Sequence, residues 1–135
     1  MTQAILGLGL VSIGRVWGVA QTRPPRESEA LRLIERAVEL GVRFFDTAPA
    51  YGPSEAILGK VLAGAGGAIN DLTIATKMGE HWVGDDDETY VDHSFDALKE
   101  SLDKSVDRLG NIDILQIHKA SVQALQSDDV AKAIE

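Results

Sequence analysis

The chain has 135 residues, room for one core of ordinary size and not for two. Its hydrophobic content of 44% and charged content of 25% exclude wholesale disorder, and a net charge of −8 argues against a nucleic-acid binder, which needs a basic face. With no cysteine there is no disulfide, no thiolate chemistry and no cysteine-based metal site.

The N-terminus is apolar but has no early Lys or Arg and no small-residue cleavage pattern, so it does not read as a signal peptide. No apolar run approaches the ~18 residues that span a bilayer. A soluble, cytoplasmic protein without a membrane partner is the expectation.

Residues 4–8 form a short apolar run ended by glycines and are expected as a first strand. Residues 9–25, with Gly14, Gly18 and Pro24-Pro25, read as a long loop. A helix is predicted from about Arg26, with Ala30, Ile34, Ala37 and Val38 at helical spacing and Gly41 as its stop signal. Residues 42–46 are the second strand. A second helix is predicted over residues 54–63 with Ala56, Ile57, Lys60 and Val61 on one face, broken by the glycine-rich stretch Gly64 to Gly67. Residues 72–77 are the third strand, and residues 79–89 a polar loop containing Asp85-Asp86-Asp87-Glu88. The clearest helix covers residues 94–109, where Phe95, Leu98, Leu102, Val106 and Leu109 make one stripe before Gly110. Residues 112–117 are the fourth strand, and a last helix starts near Ser127.

Strands alternating with helices of this length imply a parallel sheet with crossover connections. Two architectures fit, a doubly wound open sheet or part of a (β/α)8 barrel, and both bind ligands at the C-terminal ends of the strands. Asp46, Lys77 and His118 close or follow such strands, and Tyr51 lies in the loop leaving the second. An acid, an amine, an imidazole and a phenol at one end of a sheet have the makings of an active site. Each also has a plain reading: a strand-end Asp as a turn or cap residue, a Tyr before Gly as packing, a Lys as a solvated charge, a His as structural.

The run Gly41-Val42-Arg43-Phe44-Phe45-Asp46-Thr47-Ala48-Pro49-Ala50-Tyr51-Gly52, with Ser54-Glu55 and Leu58-Gly59 after it, resembles the aldo-keto reductase family. So do Ala75-Thr76-Lys77, the segment Ser101-Leu102 to Arg108-Leu109-Gly110, and Ile112-Asp113-Ile114-Leu115-Gln116-Ile117-His118. The resemblance implies a TIM barrel, NADP(H) or NAD(H) as hydride carrier, a small-molecule carbonyl or sugar substrate, and a catalytic tetrad of Asp46, Tyr51, Lys77 and His118. It also places Gly9 and Asp46 near the nicotinamide. A complete barrel needs about 250 residues, so the expectation is a half-barrel, four of eight βα units in a single domain, lacking most of the family's cofactor socket.

On that resemblance Tyr51 donates the proton to the substrate oxygen. A free phenol has a pKa of about 10, and a neighbouring ammonium favours the phenolate. Lys77 supplies the ammonium, Asp46 holds Lys77, and His118 orients the substrate oxygen. Three forms of the protein are open: part of a longer reductase, a homo-oligomer paired through open sheet edges, or a non-catalytic module that binds a partner through those edges.

Other features read more simply. Gly7-Leu8-Gly9 followed by Gly14 lacks the spacing of a dinucleotide fingerprint. The acidic stretch Asp85 to Glu88 lacks the glycine of a calcium loop, and the three histidines have no metal-ligand spacing. Trp17, Trp82 and Met78 stand beside strand ends, either lining a pocket or packing.

Overall fold

The computed structural model describes residues 6–66, 71–84 and 88–135. Its elements, in chain order, are β1 (Gly7–Gly9), α1 (Val11–Gly14), α2 (Glu27–Glu39), β2 (Phe44–Asp46), α3 (Ser54–Gly64), β3 (Thr73–Met78), β4 (Glu80–Trp82), β5 (Thr89–Val91), α4 (Phe95–Leu109), β6 (Ile114–Ile117), α5 (Val122–Leu125) and α6 (Asp128–Ile134). Four strands make one parallel sheet in the order β1-β2-β3-β6, and β4 and β5 form a separate antiparallel pair. The parallel α/β class predicted from the alternation is the class observed.

The register is Leu8 beside Phe45 and Phe45 beside Ile74, with Ala75 beside Ile114 one strand further on. Side chains alternate between faces of a strand. One face therefore presents Leu8, Phe45, Ile74, Thr76 and Met78 to the helices. Phe45 and Met78 are wholly buried there. Full burial of a side chain like Phe45 contributes about 1.5–3 kcal/mol. The main core joins Phe45 and Ile74 to Leu10, Ile34 of α2 and Leu58 of α3, and a second cluster packs Met78 against Leu98 of α4 and Val130 of α6. The opposite face carries Phe44, Asp46, Ala75, Lys77 and Gln116.

α2 is closed as its sequence suggests. Glu29 accepts a hydrogen bond from the backbone N–H of Arg26 (3.0 Å) at its start. At its end the N–H of Val42 reaches the carbonyl of Ala37 (2.9 Å) and that of Gly41 reaches Val38 (3.0 Å), with Gly41 at φ +90°. That left-handed residue is what a glycine permits.

Several expectations are corrected. The first strand is Gly7–Gly9 rather than residues 4–8, whose first two residues lie outside the described ones. The loop over residues 9–25 contains the single turn α1 and a bridge between Trp17 and Thr22. The polar loop after the third strand is largely the β4–β5 hairpin; Asp85, Asp86 and Asp87, like Gly67, lie outside the described residues. The buried face of α3 is Ser54, Glu55, Ile57, Leu58 and Val61, whereas Lys60 is exposed and pairs with Glu27 of α2. On α4 the buried residues are Leu98, Ser101, Ser105 and Leu109, and Val106 is exposed. Gly59 lets α3 approach α4 so closely that a Cβ there would stand 1.8 Å from the Arg108 carbonyl oxygen. Ser105 Oγ donates to the buried Glu55 carboxylate of α3 at 2.8 Å, which turns that polar position of α4 inward. Among the described residues no helix is long and apolar enough to cross a membrane.

Candidate active site

The C-terminal ends of β3 and β6 are level, with Met78 beside Ile117, and β2 ends three residues short of them, with Asp46 beside Ala75. The Leu10 N–H bonds the Asp46 carbonyl, Thr47 bonds Ala75, and His118 bonds Met78 (2.9, 2.9 and 2.8 Å), each extending the ladder past the last strand residue. Asp46, Lys77 and His118 thereby emerge at one end of the sheet.

Asp46 accepts from Lys77 Nζ at 2.7 Å through one oxygen and from Gln116 Nε2 at 2.9 Å through the other. Lys77 also donates to the Thr47 carbonyl at 2.9 Å. The Lys77 side chain is only 11% exposed. A cation removed from water to that degree requires a partner, and here it has a carboxylate and a carbonyl.

Tyr51 is placed by its loop. Its N–H bonds the Ala48 carbonyl and its carbonyl accepts from Ser54 (3.0 and 3.2 Å), while the buried hydroxyls of Thr47 and Ser54 lie 2.8 Å apart. Gly52 turns the chain at φ +57°. A Cβ at Gly14 would fall 1.7 Å from the Tyr51 carbonyl oxygen, so α1 meets this loop backbone to backbone. In this position the Lys77 ammonium stands 4.8 Å from the centre of the Tyr51 ring, a cation–π contact. The Tyr51 and His118 rings meet edge to face at 5.8 Å.

His118 is held from the other side by the hairpin. His93 Nε2 donates to the His118 carbonyl at 2.8 Å. Gly79, at φ +108°, leaves room for the His93 ring, which a Cβ would strike at 2.4 Å. Glu80 Oε2 lies 3.1 Å from His118 Nδ1, close but outside hydrogen-bond alignment, and Glu80 Oε1 accepts from Thr89 Oγ1 at 2.7 Å. Burial holds the His118 imidazole below its ordinary pKa of 6.5; Glu80 and Asp46 act against that shift, Lys77 and Lys119 with it. The ring is therefore neutral at neutral pH.

The structure thus brings Asp46, Tyr51, Lys77 and His118 together. Gly9 sits beside Asp46 across β1 and β2, and nothing stands within 4 Å of where its Cβ would be. A flat ring could approach the sheet there. Met78 does not line the site, because it is buried under α4 and α6. Trp17 is half exposed, with Arg15 over its ring at 5.9 Å. Trp82 lines a separate cleft of about 300 Å³ that also touches Pro53, Ala56, Tyr90 and Lys104 and none of the four.

Sequence reasoning missed Glu80, His93, Gln116 and Thr47. Gln116 had a signal, because it is two residues before His118 and so shares its strand face. Glu80 and His93 reach the site only through the hairpin, which was not foreseen.

Residues 5–135 match the model of the Aldo/keto reductase family. The chain is similar to the L-galactose dehydrogenase of Arabidopsis thaliana, 35% identical over 117 residues that make up 84% of this chain and 33% of that protein. It is similar to the uncharacterized oxidoreductase YqkF of Bacillus subtilis (strain 168), 31% identical over 134 residues, 96% of this chain and 38% of that one. Among solved structures it superposes on the aldo-keto reductase AKR11C1 from Bacillus halodurans (holo form) with a TM-score of 0.75 and 29% identity, covering 96% of this chain and 40% of that one. The chain therefore spans well under half the length of these proteins and aligns with part of a TIM barrel.

Proposed function

Since the chain belongs to the aldo/keto reductase family, we propose that its strand-end cluster is the proton-transfer part of an NAD(P)H-dependent oxidoreductase that interconverts a carbonyl compound, an aldehyde, ketone or sugar, with its alcohol. The observation that carries this reading is the continuous set of contacts Asp46–Lys77–Tyr51–His118 at the ends of three adjacent strands.

When bound, the nicotinamide supplies or removes the hydride. Gly9 and Asp46 would hold its ring end, and the open surface over Gly9 fits a flat group. The remaining work belongs to the chain. Tyr51 gives the substrate oxygen its proton. Lys77, fixed by Asp46 and Thr47, offsets the negative charge that develops on the phenol as the proton leaves. Gln116 holds the second oxygen of Asp46, so the carboxylate cannot swing away from Lys77. His118, whose ring meets that of Tyr51 edge to face, would orient the substrate oxygen beside it.

The test is reduction of small aldehydes and sugars by this protein with NADPH or NADH, together with cofactor binding followed by fluorescence. Tyr51→Phe is expected to abolish reduction and leave cofactor binding unchanged. Reduction that survives this change removes Tyr51 from the role of acid.

A second reading rests on the sheet itself. Among the described residues β1 pairs only with β2 and β6 only with β3, so both outer edges are open, and Ile114 on β6 is 41% exposed. Such edges suit pairing with a second copy or another chain, as a homo-oligomer or a non-catalytic module. Light scattering separates these cases: a well-folded monomer at micromolar concentration removes self-association.

A further inference from the structure

We propose that the cleft between the β4–β5 hairpin and the helices α3 and α4 is a second binding site, which takes a small carboxylate with a flat apolar body. Its volume is about 300 Å³, at the small end of the range for ligand pockets. None of Asp46, Tyr51, Lys77 and His118 lines it, and the proposal stands without the functional reading above.

Part of the lining is flat and apolar. The Trp82 ring lies against the loop before α3, with Cζ2 3.5 Å from where a Cβ on Gly52 would stand. Pro53 and Ala56 carry this surface onto α3, and Tyr90, stacked on His81 at 4.9 Å, adds to it from the hairpin.

The rest of the lining is rich in donors. Ser101 of α4 is 5% exposed, and its Oγ is buried with no hydrogen-bond partner. Trp82 Nε1, on the hairpin side, is in the same state. Buried polar atoms of a folded protein are rarely left so, and each one calls for a partner. Arg108 gives Nη1 to Glu55 at 2.9 Å and makes no other hydrogen bond among the described residues, although a guanidinium has further N–H groups to give. Lys104 gives one bond to Glu100 and has protons to spare. His81 Nε2 is engaged with the Asp92 carbonyl at 3.1 Å.

This set selects the chemistry of the occupant. Side-chain donors outnumber acceptors, and the one acid of the lining, Glu100, is already paired with Lys104. The occupant must therefore bring acceptors. A carboxylate brings acceptors only, and its two oxygens match the fork of Arg108. Glu55 answers part of the Arg108 charge and Glu100 part of the Lys104 charge. That balance suits a single negative charge better than the nearly double charge of a phosphate group.

The test is nitrogen–proton NMR of the purified chain, whose two tryptophans, Trp17 and Trp82, report through their indole N–H resonances. Trp17→Phe, at a half-exposed position, tells them apart. Benzoate is the probe. It is expected to move the Trp82 resonance with a dissociation constant of about 1 mM or below and to leave that of Trp17 in place. Benzamide, which has the same shape without the charge, is expected to bind about tenfold more weakly. Lys104→Gln, at an exposed side chain, is expected to weaken benzoate about fivefold and to leave benzamide unchanged. No movement of Trp82 up to about 10 mM benzoate overturns the proposal, and so does equal movement of both tryptophans. Equal binding of benzoate and benzamide, or unchanged benzoate binding in Lys104→Gln, overturns the carboxylate as the ligand.

Discussion

Glu55 of α3 and Thr76 of β3 are joined by a 2.6 Å hydrogen bond in the wholly buried space between sheet and helices. The same carboxylate accepts from Ser105 Oγ at 2.8 Å and Arg108 at 2.9 Å, so one acid ties β3, α3 and α4 together. Removing it leaves two buried hydroxyls and a guanidinium without their acceptor. Glu55→Ala is expected to destabilise the fold by about 3 kcal/mol, read from the urea midpoint. Glu55→Gln, which keeps an acceptor oxygen and loses the charge, should fall between the two. A loss within experimental error for Glu55→Ala would show that the network is not needed.

Gly59 sets two effects against each other. In a helix interior, glycine to alanine gains about 1 kcal/mol from propensity alone. At this site the new Cβ would stand 1.8 Å from the Arg108 carbonyl oxygen, main-chain atoms that cannot rotate aside. Overpacking of that kind costs about 1–3 kcal/mol, so Gly59→Ala is expected to lower the thermal midpoint. A raised midpoint would mean that α4 shifts freely.

Gln116 separates positioning from stability. Gln116→Leu takes one of two donors from Asp46 and leaves Lys77 in place. Because Asp46 is 31% exposed, water can replace the lost donor, and the stability cost is expected to be about 1 kcal/mol. On the proposed function, carbonyl reduction should fall further than stability does, about tenfold, through a looser Lys77. An unchanged rate would show that Lys77 needs only one anchor on Asp46.

The pH dependence of stability follows from His118. Its pKa is lowered on folding, so between the folded value and 6.5 the unfolded chain binds more protons. Stability then rises with pH through that window and is flat with respect to this group above it. Acidification below pH 6.5 is expected to lower the urea midpoint, and His118→Asn is expected to remove part of that slope. A slope identical in the variant would assign the titration elsewhere; the nearby Asp92, whose pKa is lowered mainly by the Ser94 backbone N–H, loses its contribution only at more acid pH.

The candidate cluster was legible because three of its members end apolar runs, and parallel strands deliver their last residues to one edge. Asp46, Lys77 and His118 could be placed from that rule alone. The interior faces of the helices were harder to read. On α4, Ser105 is buried and Val106 exposed, the reverse of a hydrophobicity count, because the buried Glu55 carboxylate takes the Ser105 hydroxyl as a donor. The hairpin was missed for another reason. Its strands are three residues each and mix polar with apolar side chains, Glu80-His81-Trp82 and Thr89-Tyr90-Val91, so no apolar run announces them. With it went Glu80 and His93, whose contacts with His118 bridge chain separations that local patterns do not reach.

The parallel register also governs how the protein comes together in time. Every pairing in the main sheet is distant along the chain: the Lys77–Asp46 contact spans 31 residues and the Gln116–Asp46 contact 70. Only the β4–β5 pair is local. Contacts of such range form slowly, since each must first close a long loop. During synthesis β6 emerges last of the sheet strands, and it carries both Gln116 and His118. Until it docks, Lys77 and Asp46 can pair but the imidazole is missing, so the four side chains of the candidate site meet only when β6 joins the sheet.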